Sequence, residues 1–143
     1  MLNAISPLDG RYANVMAPLA AYFSEMSLFK HRLEVEIEYL LFLAELKVIR
    51  KMTSEEKKKL KSLIQNFSEK DFLDIKDEEK IVRHDVKALE YFIRKKIIKT
   101  SLSDLAEFIH FGLTSEDVNN LAISLSLSGF LYEQFLPQLN VLI

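Results

Sequence analysis

Arg32-Leu33-Glu34-Val35-Glu36-Ile37-Glu38-Tyr39-Leu40-Leu41-Phe42-Leu43-Ala44-Glu45-Leu46-Lys47-Val48 is the stretch that decides the class of fold. Leu33, Ile37, Leu40, Leu41, Ala44 and Val48 recur at the spacing of one helix face, and Val35, Tyr39, Phe42, Leu43 and Leu46 widen it. A stripe this broad predicts a helix covered on more than one side, within a helical region running from Leu19 to about Arg50. Glu34, Glu36 and Glu38 are expected on the surface that remains. His31 stands between Lys30 and Arg32 with no second ligand four residues on, so it reads as a surface residue rather than a metal ligand.

Downstream the helical period returns. Thr53-Ser54-Glu55-Glu56 is a capping-box pattern, and Leu60, Leu63, Ile64 and Phe67 give the helix it opens a buried side. The charge run Lys57 to Lys61 is offset by Glu55 and Glu56 and reads as a solvated face. Glu69 to Lys80 holds only three apolar residues, Phe72, Leu73 and Ile75, and is expected to be a peripheral helix or loop. Val86, Leu89, Phe92 or Ile93, and Ile97 predict another helix, with Asp85 placed as its cap. Ser103 to Phe108 reads as a short helix.

The last stretch carries two patterns. Ile123, Leu125 and Leu127 alternate with Ser124, Ser126 and Ser128, which is strand periodicity. Val118, Leu121, Ala122 and Leu125 instead fit a helix beginning at the cap Thr114-x-x-Asp117, and Phe135, Leu139 and Leu142 continue it. One long helix is the favoured expectation, with the serines allowing close packing against neighbours. The predicted fold class is all-α.

Composition narrows the function. A chain of 143 residues can bury a real core, and 49% hydrophobic with 28% charged residues argues against disorder. Nineteen basic against 21 acidic residues leave a formal charge of −2, without the basic surplus of a general nucleic-acid binder. Zero cysteines exclude from this chain a disulfide scaffold, a thiolate metal site and a thiol nucleophile. The first residues lack the basic and apolar regions of a signal peptide, and the densest apolar run, Tyr39 to Ala44, is too short to span a bilayer. The expectation is a soluble, cytoplasmic protein with no membrane partner.

Three clusters stand out from the scaffold. His110-Phe111-Gly112-Leu113-Thr114-Ser115-Glu116-Asp117-Val118-Asn119-Asn120 gathers a histidine, a glycine break, two hydroxyls, two carboxylates and two amides. Capping accounts for Thr114 and Asp117 but not for His110, Asn119 or Asn120, since asparagine is a poor helix-interior residue without polar partners. Arg83-His84-Asp85 falls at a helix N-terminus, where unpaired N–H groups and the positive dipole end suit an anion. Ser6-Pro7-Leu8-Asp9-Gly10-Arg11-Tyr12 frames a turn from which Arg11 and Tyr12 project. Capping residues and a solvated arm would explain most of these positions structurally. The functional reading makes them separated pieces of one binding site.

Ser6-Pro-Leu-Asp-Gly-Arg-Tyr12, His84-Asp-Val-Lys-Ala-Leu-Glu-Tyr-Phe92 and Glu107-Phe-Ile-His-Phe-Gly-Leu-Thr-Ser-Glu-Asp-Val-Asn-Asn120, in this order, closely resemble the adenylosuccinate lyases of the fumarase/aspartase superfamily. The resemblance runs from Ser6 to the end. It implies an all-helical, cofactor-free and metal-free homotetramer that splits adenylosuccinate into AMP and fumarate, and the succinylated carboxamide ribotide likewise. It implies that Arg11 and Tyr12 contact the nucleotide phosphate, that His84 and Asp85 line the substrate site, and that Thr114 and Ser115 hold the succinyl carboxylates. Arg83 stands where the family carries a small polar residue; it would add a phosphate contact or point to solvent.

The family's general-acid histidine and base serine have no counterpart here and are expected beyond Ile143. The chain, which stops in mid apolar pattern, therefore reads as an N-terminal portion: a helical domain over 1–112 and the beginning of the central bundle over 113–143. It would supply substrate-binding residues, no catalytic residue is assigned to it, and it is expected to be inactive alone. The alternatives are a stand-alone helical module that binds a nucleotide or a partner helix, and a lyase of the same superfamily acting on argininosuccinate or fumarate. The Arg11-Tyr12 and His84-Asp85 clusters argue against the last.

Overall fold

The computed structural model describes residues 6–142, and among these the ordered elements are all helical. Three short turns, α1 (Ala13–Met16), a 3-10 turn (Ala17–Leu19) and α2 (Ala20–Phe23), lead into α3 (Glu25–Glu45). Then come α4 (Ser54–Gln65), α5 (Glu69–Val82), α6 (Asp85–Ile97), a 3-10 helix (Ser103–Phe108), α7 (Ser115–Phe130), a π turn (Leu131–Phe135) and α8 (Leu136–Leu142).

The helical region expected from Leu19 to Arg50 is interrupted at both ends. Ser24 is extended (ψ 158°) and its hydroxyl accepts the Ser27 N–H, so the serine caps α3 and breaks it from α2. At the far end Lys47 adopts a left-handed φ of 60°, so Val48 lies beyond the helix and half exposed. Phe42 and Leu46 also face outward. The rest of the stripe is buried as expected apart from half-buried Tyr39, with Leu33, Ile37 and Leu40 at 1% exposure or less, and Phe29, outside the stripe, joins them. Each such side chain contributes roughly 1.5–3 kcal/mol by leaving water.

Helices α4, α6 and α7 pack around α3. The capping box at Thr53 forms as its sequence requires, Glu56 reaching back to the Thr53 N–H at 2.9 Å. The 69–80 stretch is a helix, α5, opened by a second capping box between Ser68 and Asp71. It docks through Ile75, fully buried, and through Phe72, whose ring meets Phe29 edge-on at 5.7 Å. Helix α6 folds back along it, with Lys96 paired to Asp71 at 2.7 Å. Arg83 makes the reversal possible: it sits at a left-handed φ of 54° and its N–H bonds the Glu79 carbonyl at 2.7 Å.

The ambiguous final stretch is helical. Val118, Ala122 and Ser126, four residues apart, form its buried row against α3 and α2, while Ile123, Leu125 and Leu127 are exposed. Of the three alternating serines only Ser126 is buried, its hydroxyl donating to the Tyr22 carbonyl. The run to Leu142 is nearly continuous, with one π turn just before Pro137. A proline there has no N–H for the Glu133 carbonyl, and the wider turn accommodates that loss.

Candidate functional site

His84 and Ser115 come together from helix starts 31 residues apart, Nε2 to Oγ at 3.4 Å. The cap of α6 is His84 rather than Asp85. The imidazole Nδ1 accepts the Lys87 N–H at 3.2 Å, because His84 is the extended residue (φ −154°, ψ 117°) while Asp85 is already helical. A neutral ring that accepts at Nδ1 carries its proton at Nε2, on the side of Ser115.

Asp85 has a different task. Its Oδ2 meets Arg32 Nη2 at 2.8 Å and its Oδ1 accepts the Val86 N–H at 2.8 Å. Partial burial pulls its carboxyl up. The Val86 N–H and the Arg32 charge and hydrogen bond outweigh that pull and hold the group below its ordinary range. Arg32 also donates from Nε to Asn119 Oδ1 at 2.9 Å and lies over the Phe29 ring, its guanidinium carbon 5.0 Å from the centroid. The asparagines therefore have their polar partners: Asn119 in Arg32, and Asn120 in Glu116 at 3.0 Å.

The approach to α7 is set by two left-handed residues, His110 (φ 62°) and Gly112 (φ 74°). Non-glycine residues rarely hold such a backbone. Glu36 holds His110 there: one carboxylate oxygen accepts its backbone N–H at 3.1 Å and the other meets ring Nδ1 at 2.5 Å. Glu36 is thus buried, 1% exposed, and not on the surface where its spacing had placed it. Desolvation raises its carboxyl above the ordinary value against the opposing bonds to His110. Thr114 then caps α7, its N–H and hydroxyl both donating to Asp117 Oδ2 at 2.7 and 2.8 Å.

The start of α6, thirteen residues long, thus meets that of α7, sixteen residues long. Two such termini present positive dipole ends, with a hydroxyl and a ring N–H between them. That combination suits a carboxylate or phosphate.

Of the sequence-derived candidates, the structure brings His84, Asp85, Thr114 and Ser115 into one neighbourhood. Arg83 is exposed and makes no ion pair among the described residues. Arg11 and Tyr12 follow the expected turn, closed by Gly10 N–H to Ser6 O (3.1 Å) and Tyr12 N–H to Pro7 O (2.8 Å). Arg11 lies 5.4 Å from the ring of Tyr12, and no bond joins either to His84 or Ser115 among the described residues. His31 is partly buried, 3.4 Å from Glu34.

Sequence reasoning missed Arg32 and Glu36. At about 100° per residue both fall inside the apolar arc of α3, between Phe29 and Leu40 on one side and Val35 and Tyr39 on the other. Charged residues within a covered arc must find buried partners, and that was the available signal.

The profile of the family described as Lyase matches residues 10–143. Adenylosuccinate lyase of Dictyostelium discoideum is 44% identical over 97% of this chain and 31% of its own length. The adenylosuccinate lyases of Haemophilus influenzae (42%) and Escherichia coli K12 (40%) align with 99% of this chain and 32% of theirs. The chain spans about a third of the length of the curated relatives it matches.

Proposed function

This chain belongs to the lyase family, and from that premise we propose that it is the substrate-binding N-terminal part of an adenylosuccinate lyase. The complete enzyme would eliminate fumarate from adenylosuccinate, leaving AMP, and from the succinylated carboxamide ribotide. The observation that carries the proposal is the approach of His84 to Ser115 at 3.4 Å across two helix N-termini. That cradle matches the charge of a succinyl carboxylate.

In this reading Thr114 and Ser115 hold the succinyl carboxylates, His84 and Asp85 line the pocket, and Arg11 and Tyr12 take the phosphate. Arginine offers the bidentate geometry a phosphate requires. Asp85, its two oxygens engaged by Arg32 and the Val86 N–H, lines the site with a side chain 42% exposed. Arg83 reaches solvent from the α5–α6 reversal.

Elimination requires a base to remove the proton beside the carboxylate and an acid to protonate the departing nitrogen. Neither His84, which lines the proposed pocket, nor His110, whose Nδ1 meets Glu36, is assigned either role. The two proton-transfer groups then belong to the remaining two-thirds of the relatives' length, and this chain alone is inactive. Residues 1–112 form an N-terminal helical domain and 113–143 open the central bundle. A homotetramer is supported by the outward apolar side chains of the last helices, Ile123, Leu127, Tyr132 and Val141 among them. Among the described residues no helix is long and apolar enough to cross a membrane, which is compatible with a cytoplasmic enzyme.

The test is fumarate release from adenylosuccinate by the chain alone and mixed with the downstream two-thirds of the Escherichia coli enzyme. Silence alone and turnover on mixing supports the assignment. Turnover by the chain alone overturns the division of labour. A rise in Tm with AMP but no complementation favours a stand-alone nucleotide-binding module.

A further inference from the structure

Arg32 is 6% exposed and reaches two helix starts at once: Asp85 on the first turn of α6 and Asn119 on the second turn of α7. We infer that Arg32 is the positioning residue of the site, its two-sided grip setting the His84–Ser115 contact on which anion binding depends. The inference rests on the proposed substrate-binding role and adds a residue to it.

The apolar contact between these helix starts is small. Val86 of α6 and Val118 of α7 meet in a cluster with Val35 and Ala122, against which Leu28 and Leu113 pack. These aliphatic side chains exclude water but tolerate rotation, since dispersion is not directional. Hydrogen bonds from a planar guanidinium are directional, and Arg32 is itself oriented by the Phe29 ring beneath it. With Nε fixed on Asn119 and Nη2 on Asp85, neither helix start can turn or slide without breaking a partly buried charge-assisted bond. His84 precedes Asp85 directly, and Ser115 lies one turn before Asn119 on the same helix. The grip is therefore one step removed from each site residue. Arg32 contacts no ligand in this account; it acts through the groups it holds.

The test uses the 143-residue chain and its Arg32→Met, Arg32→Lys and Asn119→Ala variants. Arg50→Met is the control, because it removes a second networked arginine away from the site, one bonded to Glu56 and Asp104. Two readouts are taken: the nuclear Overhauser cross-peak between the His84 ring and the Ser115 β-protons, and the Kd for adenylosuccinate, whose succinyl carboxylates the cradle would hold. The cross-peak is expected in the wild type and in Arg50→Met, lost in Arg32→Met, and weakened in Arg32→Lys and Asn119→Ala, each of which keeps one bond of the two. Adenylosuccinate binding should weaken about tenfold in Arg32→Met and be unchanged in Arg50→Met.

A full-strength cross-peak in Arg32→Met overturns the inference, as does its loss with adenylosuccinate affinity intact. Should Arg32→Met not fold, full-strength cross-peaks in both milder variants overturn it equally. If the wild-type chain binds no adenylosuccinate, the proposed function fails, while the cross-peak comparison still decides whether Arg32 positions His84 and Ser115.

Discussion

Glu36 and His110, 74 residues apart in the chain, meet at 2.5 Å in a setting that leaves the glutamate 1% exposed. The contact holds a non-glycine residue at positive φ immediately before the helix that presents Thr114 and Ser115. A buried carboxyl thus carries the backbone geometry of a site it does not touch.

Glu36→Ala would leave the His110 N–H and ring nitrogen without their partner, at a cost of about 1–3 kcal/mol read by denaturant unfolding. Glu36→Gln keeps an acceptor and should cost less, with a pH dependence of definite sign. Burial raises the folded-state carboxyl of Glu36, with the Glu90 charge adding to the rise and His110 opposing it. The stability that this shift contributes is complete below the unfolded value and is lost as pH rises through the folded one. The deficit of Glu36→Gln relative to the wild type should therefore shrink as pH is raised from acid towards neutral. A deficit that grows over that range would contradict the burial argument.

The opposite sign is expected at Glu56. Its carboxylate accepts from Arg50 at 2.9 and 3.0 Å and from the Thr53 N–H at 2.9 Å. The Arg50 hydrogen bonds first, and the Thr53 backbone second, bring it from the ordinary 4.5 to about 2. Its contribution is present above the unfolded value and is lost as pH falls through this window. Glu56→Gln should have a lower Tm than the wild type at neutral pH, with the two Tm curves converging on acidification. Parallel curves would show that the network is not linked to protonation.

Gly112→Ala tests backbone strain without steric contact. A Cβ there meets nothing within 4 Å, yet φ is 74°. The expected loss is about 1–2 kcal/mol from the left-handed conformation alone. An unchanged stability would mean that the segment relaxes, and adenylosuccinate affinity would then report whether Ser115 moves with it.

What the sequence by itself determined is the helical class and most of its punctuation. The period of Leu33, Ile37, Leu40 and Ala44 located the core face of α3, the Thr53 and Ser103 starts fell where expected, and the three polar clusters were visible as departures from scaffold. These are local properties, set by residues within a turn or two of each other. Tertiary structure decided the rest. Only packing shows that Glu36 and Arg32 face inward, because their partners lie 74 and 87 residues away and no period carries that distance. The choice of His84 over Asp85 as the cap followed from the α5–α6 reversal at Arg83, and Asp85 was released to meet Arg32. A buried charge is stable only where its counter-group arrives, and the place of arrival belongs to the assembled fold.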